Sequence, residues 1–143
     1  MLDDDLIKRL ANRLTLPLPG RSVQEPLAPP HCLGKHFETP PADVRQAAVM
    51  ILLYRHQGEW HIPLTVRAAH LKDHAGQISL PGGRIEPDES PEQAAVREIH
   101  EELSISDRNL QLIGRLSSIY LYVSHFFVTP VLGSYEHLSL IHI

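Results

Sequence analysis

Residues 83–105 read GRIEPDESPEQAAVREIHEELSI, and this stretch decides the fold. Ser90-Pro91-Glu92 has the chemistry of a helix start. Serine caps well, proline suits the first helical position, and an acid favours the positive helix end. Gln93, three residues after Ser90, completes a capping box. From Glu92 to Leu103 no glycine or proline interrupts, and helix formers dominate. At roughly 100° per residue, Glu98, Glu101 and Glu102 share one face. Ala95, Val96, Ile99 and Leu103 form an adjoining apolar stripe suited to docking on a sheet. Ser104 follows the helix, where left-handed backbone favours glycine, so serine there costs about 1 kcal/mol.

Carboxylates at i, i+3 and i+4 repel one another by a few tenths of a kcal/mol per pair. A cation relieves that repulsion. Hard oxygen ligands without cysteine or paired histidines suit Mg²⁺ or Mn²⁺ rather than Zn²⁺. Mg²⁺ commonly takes one or two carboxylates, keeps waters and adds phosphate oxygens, which outlines a diphosphate site. An acidic helix face on its own is more often simply solvated. Here Gly82-Gly83, a bounded turn, Glu89 and Arg97 accompany it. Pro81-Gly82-Gly83 is expected to end a strand and let the backbone approach a phosphate. Glu89, just before the helix, is placed to reach the carboxylates or hold the loop. Arg97 lies beside the acidic face, where its fork can pair with a glutamate and fix its rotamer.

The window resembles the Nudix box, G-x5-E-x7-R-E-U-x-E-E-x-G-U, with U a bulky apolar residue. Gly83, Glu89, Arg97, Glu98, Ile99, Glu101, Glu102 and Ile105 fall in register, and only Ser104 departs, where the family has glycine. The resemblance implies an α/β fold, the Nudix α/β/α sandwich with a mixed sheet. It implies hydrolysis of a nucleoside diphosphate linked to another group, with Mg²⁺ or Mn²⁺ as cofactor. Carried over residue by residue, Arg97, Glu98, Glu101 and Glu102 are the catalytic set, Glu98, Glu102 and Glu101 the metal ligands, and Glu89 their support.

Residues 63–83, PLTVRAAHLKDHAGQISLPGG, resemble the segment before the box in coenzyme A pyrophosphatases, roughly L-L-T-x-R-S-x-x-L-x-x-H-x-G-Q-[IV]-x-[FL]-P-G-G. Pro63 and Ala68 depart from it. Residues 113–116 and 127–131 also look like that subfamily. The resemblance implies cleavage of coenzyme A to 3′,5′-ADP and 4′-phosphopantetheine, with Arg67, Lys72, His74, Gln77, Gly82 and Gly83 binding the substrate. The residue types agree, since basic side chains engage phosphate and an amide can bond the pantetheine arm. Taken singly, His74 and Gln77 are more often structural, and Lys72 is an ordinary exposed lysine. The general base and the number of metals stay open. Two alternatives also stay open: hydrolysis of another nucleoside diphosphate derivative, or a non-catalytic Nudix-fold binding module.

The rest of the chain bounds these readings. Its 143 residues allow one domain, expected as a Nudix domain over 42–143 behind an N-terminal helix and Pro-rich lead-in over 1–41. A net charge of −4 argues against nonspecific nucleic-acid binding. The partner that the resemblance implies is a small-molecule substrate, coenzyme A or a derivative. Cys32 is the single cysteine, which excludes a disulfide framework. The ten histidines form no HExxH pattern. The acidic opening Met1-Leu2-Asp3-Asp4-Asp5 is unlike a secretory signal, and the longest apolar run, 47–54, is too short to span a bilayer. A cytoplasmic or organelle-lumen protein without a membrane partner is expected; the oligomeric state is open.

Leu6, Leu10 and Leu14 mark an amphipathic helix over 3–14. Pro17 to Pro41 reads as an extended lead-in and 46–55 as a central strand. Residues 60–67 read as its hairpin partner, turning at Gly58, and Ile78 to Leu80 lead into the box. Strands are expected at 110–123 and 125–132, with Gly133-Ser134 as a turn. The resemblance calls for a further strand and a closing helix after that. The apolar tail 138–143 matches neither, so a C-terminally incomplete chain or non-native last residues are expected.

Overall fold

The computed structural model describes residues 3–30, 38–69 and 76–136. The chain begins with helix α1 (Asp3–Leu14) and a short helix α2 (Arg21–Gln24). Strands β1 (Arg45–His56), β2 (Glu59–His61), β3 (Thr65–Val66), β4 (Ile78–Ser79) and β5 (Gly82–Arg84) follow. Helix α3 (Pro91–Leu103) comes next, then β6 (Leu110–Arg115), β7 (Ile119–Leu121) and β8 (Phe126–Tyr135).

Strand β1 is the spine because its side chains alternate. Ala48, Met50, Leu52 and Tyr54 are buried along one face, as period-two alternation requires of a sheet covered by a helix. β8 lies parallel beside it, with Ala48 opposite Thr129 and Met50 opposite Val131. On its other edge β1 pairs antiparallel with β5 at one end and β2 at the other. β8 likewise pairs antiparallel with β7 and β6. One parallel pair among antiparallel ones makes the sheet mixed, as expected. β3 and β4 form a separate two-stranded ribbon.

Helix α3 covers the core face. Ala94, Ala95 and Ile99 pack with Ala48, Met50, Leu52 and Val131, while Val96 and Leu103 flank them partly buried. Its capping box forms in full: Gln93 N–H donates to Ser90 Oγ at 3.2 Å, and Ser90 N–H donates to Gln93 Oε1 at 2.7 Å. Ser104 takes the left-handed conformation that its place after the helix calls for, with φ 55° and ψ 28°. Ser104→Gly is therefore expected to stabilise the domain by about 1 kcal/mol. Urea unfolding would show a higher midpoint at unchanged slope. A lower midpoint would mean that the Ser104 side chain stabilises the cap.

Four expectations need correction. Only β2 pairs with β1 as a hairpin; buried Pro63, which lacks an N–H, ends the ladder, and Thr65–Val66 turns to β4 instead. Residues 110–123 are two strands, β6 and β7, with a register shift between Leu112 and Gly114. Gly133 and Ser134 are no turn but buried positions inside β8. A Cβ on Gly133 would sit 3.3 Å from both Met50 Sδ and Gln111 O, so close packing explains that glycine. The lead-in is helical at α2 and through the following turn, Glu25–Leu27.

Candidate active site

The apolar face of α3 fixes which way its acidic face points. Glu98 lies over β5, where a Cβ on Gly83 would stand 2.6 Å from Glu98 Cδ. The Gly82 N–H favours the ionised form of the Glu102 carboxyl. Gly83 thus leaves room for Glu98, and Gly82 acts on Glu102 electrostatically. The space over Gly83, expected to admit a phosphate, is filled by Glu98. Gly82 and Gly83 also begin β5 rather than ending a strand.

Arg97 ties the cluster together. Its Nε donates to Glu89 Oε1 at 2.9 Å and its Nη2 to Glu89 Oε2 at 3.1 Å, a bidentate pair. Nη1 donates to Glu98 Oε1 at 2.8 Å, and Nη2 also to the Arg84 carbonyl at 3.0 Å. Glu101 Oε2 is the weakest partner, at 3.4 Å on a side chain 55% exposed. Glu89 also accepts the Glu86 N–H at 3.0 Å, so it holds the loop before the helix. The Arg97 bond, and then that N–H, keep Glu89 below the usual carboxylate range. In return Glu89, with Glu98, raises the pKa of Arg97.

Glu102 behaves oppositely. Its side chain is exposed along its length, but its carboxyl lies against the protein. That partial desolvation raises its pKa first, and the charge of Glu98 adds to it. Gly82 N–H and the positive charge of Arg67 pull the other way.

Charge alone does not explain the Arg97 clamp, which needs a planar fork. Arg97→Lys is expected to lower the melting temperature on the order of 5 °C, most of the loss expected for Arg97→Ala. Thermal melts monitored by circular dichroism would test this. Parent-like stability of Arg97→Lys would reduce the clamp to a simple ion pair.

The donor set suits a hard cation. Among the described residues, no three His, Cys, Asp or Glu side chains already surround one point. Mg²⁺ does not require such a cage, because one or two carboxylates plus waters and substrate oxygens suffice. Glu98 and Glu102, whose mutual repulsion shows in the raised pKa of Glu102, are the pair that fits; Glu101 stands at the rim.

Of the residues singled out in the sequence, Gly82, Gly83, Glu89, Arg97, Glu98 and Glu102 come together, with Arg67 close enough to act on Glu102. Gln77 enters through its backbone: its carbonyl accepts the Arg67 N–H at 2.9 Å. Lys72 and His74 lie outside the described residues. The Arg84 carbonyl and the Glu86 N–H also belong to the site, and as backbone groups they carry no residue-type signal in the sequence.

The NUDIX domain model matches residues 44–137. The chain belongs to the NUDIX domain family. The uncharacterized Nudix hydrolase NudL of Enterobacter sp. (strain 638) is 43% identical over 90 residues, 62% of this chain and 46% of that protein. Nudix hydrolase 3 of Caenorhabditis elegans is 35% identical over 86 residues, 60% of this chain and 36% of its own length. This NUDIX chain thus spans less than half of either relative. Among solved structures, the Nudix hydrolase RenU of M. smegmatis superposes with a TM-score of 0.54 at 24% identity, over 66% of this chain and 63% of that one. The C. elegans Ap4A hydrolase gives 0.56 at 20%, over 70% and 74%. Both likenesses concern the NUDIX fold.

Proposed function

We propose that this NUDIX domain, carried by residues 42–143, hydrolyses the diphosphate of coenzyme A or a coenzyme A derivative in the presence of Mg²⁺ or Mn²⁺. The products are 3′,5′-ADP and 4′-phosphopantetheine. The observation that carries the reading is the carboxylate pair on one face of α3: Glu98, held over Gly83 by Arg97, and Glu102, whose pKa the charge of Glu98 raises. A divalent ion bound there polarises phosphoryl oxygens and lowers the pKa of a water.

The chain's own residues prepare the site. Arg97, anchored by Glu89 and the Arg84 carbonyl, fixes the Glu98 rotamer. The Gly82 N–H favours the ionised form of Glu102. Glu101, exposed at the rim and held, among the described residues, only by the 3.4 Å contact with Arg97, takes a proton from an attacking water. Arg67 supplies positive charge beside Glu102, where a substrate phosphate would lie. The choice of coenzyme A rests on the likeness of residues 63–83 to the coenzyme A pyrophosphatase segment, including Lys72, His74 and Gln77.

The test is a chromatographic assay of coenzyme A with Mg²⁺ or Mn²⁺, in which 3′,5′-ADP is expected. If coenzyme A survives while ADP-ribose, NADH or an oxidised nucleotide is cleaved, the substrate assignment fails. Coenzyme A bound in saturating metal but never cleaved would leave a binding module.

A further inference from the structure

The β1–β2 hairpin carries two histidines and a glutamate at the far end of β1 from β5. Its two-residue turn, Gln57-Gly58, has positive φ at both positions, 50° and 84°, which locks the register. Tyr54 then lies opposite His61, and His56 opposite Glu59. Side chains alternate along a strand, so Tyr54, His56, Glu59 and His61 share one face. The imidazole rings of His56 and His61 stand with centroids 5.6 Å apart at 79°. The Tyr54 ring also lies 5.6 Å from His61, tilted by 31°.

Among the described residues, neither His56 nor His61 makes a hydrogen bond or ion pair, and Glu59 has none either. This contrasts with His100, which meets the Ile105 carbonyl, and His125, which meets Tyr120 and Asp43. Both hairpin histidines are half-buried, so solvent ions reach them.

We propose that His56 and His61 form a binding site for a borderline divalent ion of the Zn²⁺ class, with Glu59 as third ligand and water completing the shell. Zn²⁺ takes imidazole nitrogen at about 2.0–2.1 Å, which holds the centres of two imidazoles on one tetrahedral ion on the order of 5–6 Å apart. The observed ring separation lies in that range. Directly opposite residues on an antiparallel pair have Cβ atoms about 4.5–5.5 Å apart, so the Glu59 carboxylate is within a rotamer change of the His56 ring. That change is required, because no three ligating side chains already converge among the described residues. The ligand chemistry separates this site from Glu98 and Glu102: imidazole nitrogen suits Zn²⁺, whereas an all-oxygen pair suits Mg²⁺.

Zn²⁺ titration by calorimetry, in excess Mg²⁺ to occupy the oxygen site, tests the proposal. His56→Phe and His61→Phe keep a ring against its neighbours while removing the nitrogens. Each is expected to weaken one Zn²⁺ equivalent at least tenfold and to abolish the accompanying rise in melting temperature. Loss in only one variant, loss in neither, or no Zn²⁺ binding by the parent overturns the site. Should a phenylalanine variant fail to fold, the unsubstituted chain still decides. Zn²⁺ is expected to protect both His56 and His61 from diethyl pyrocarbonate, read by mass spectrometry, and equal labelling with and without Zn²⁺ overturns the proposal.

Discussion

Glu102→Gln is expected to reduce metal-dependent turnover about a thousandfold while raising the melting temperature of the metal-free protein. Losing about 4 kcal/mol of charge stabilisation at a bound ion corresponds to that fold-change. The stability gain has a separate origin. Partial desolvation and the charge of Glu98 raise the pKa of Glu102 in the fold. A carboxyl with a raised folded pKa contributes stability that is fully present below its unfolded pKa, near 4.3, and lost as pH rises through the folded value. At pH 7 the ionised Glu102 therefore weighs against folding, and glutamine removes that burden while keeping the shape of the side chain. Melts in chelator are expected to show Glu102→Gln above the parent at pH 7, with the gap narrowing as pH falls toward 4. A variant melting below the parent at pH 7 would mean that the carboxylate supports the fold. An active variant would remove Glu102 from the ligand set. The two readouts are independent, so the electrostatic account and the functional one can fail separately.

Local chemistry makes α3 legible in the sequence. Ser90, Pro91 and Gln93 announce its start, and the 3.6-residue period separates Ala95 and Ile99 from Glu98 and Glu102. Strand β1 is legible for the same reason, a β-branched and leucine-rich run that ends before the Gly58 turn. What sequence does not reveal depends on contacts distant in the chain. Gly133 looks like a turn residue, yet it is glycine because Met50 and Gln111 crowd it from neighbouring strands. Gly83 looks like a phosphate cradle, yet Glu98, fifteen positions later, occupies its space. Arg97 reads as a partner for a glutamate, but its anchorage to the Arg84 carbonyl requires β5 to pass beneath the helix. The site residues are thus visible in the sequence, whereas the reason each is held in place is visible only once β5 and α3 are packed.

That packing makes opposite demands on two adjacent glycines, and alanine at each is expected to fail differently. A Cβ on Gly82 would lie 2.7 Å from Val49 Cα, against the backbone of β1. Backbone inside a paired sheet cannot yield without breaking the β1–β5 ladder, where Val49 and Gly82 are partners. Gly82→Ala is expected to cost about 3 kcal/mol or more, the upper range for overpacking, and to unfold much of the population. A Cβ on Gly83 instead meets the end of the Glu98 side chain, which can rotate away. Its fold is expected to survive, but Glu98 must leave the 2.8 Å bond that holds it to Arg97. Misplacing a reactive group by about 1 Å can cost on the order of a hundredfold in rate, so Gly83→Ala is expected to melt near the parent and lose about that much turnover. Urea unfolding and the coenzyme A assay on both variants separate the two cases. A stable Gly82→Ala would contradict the close approach of β5 to β1. A fully active Gly83→Ala would show that the position of Glu98 over β5 does not matter to the chemistry.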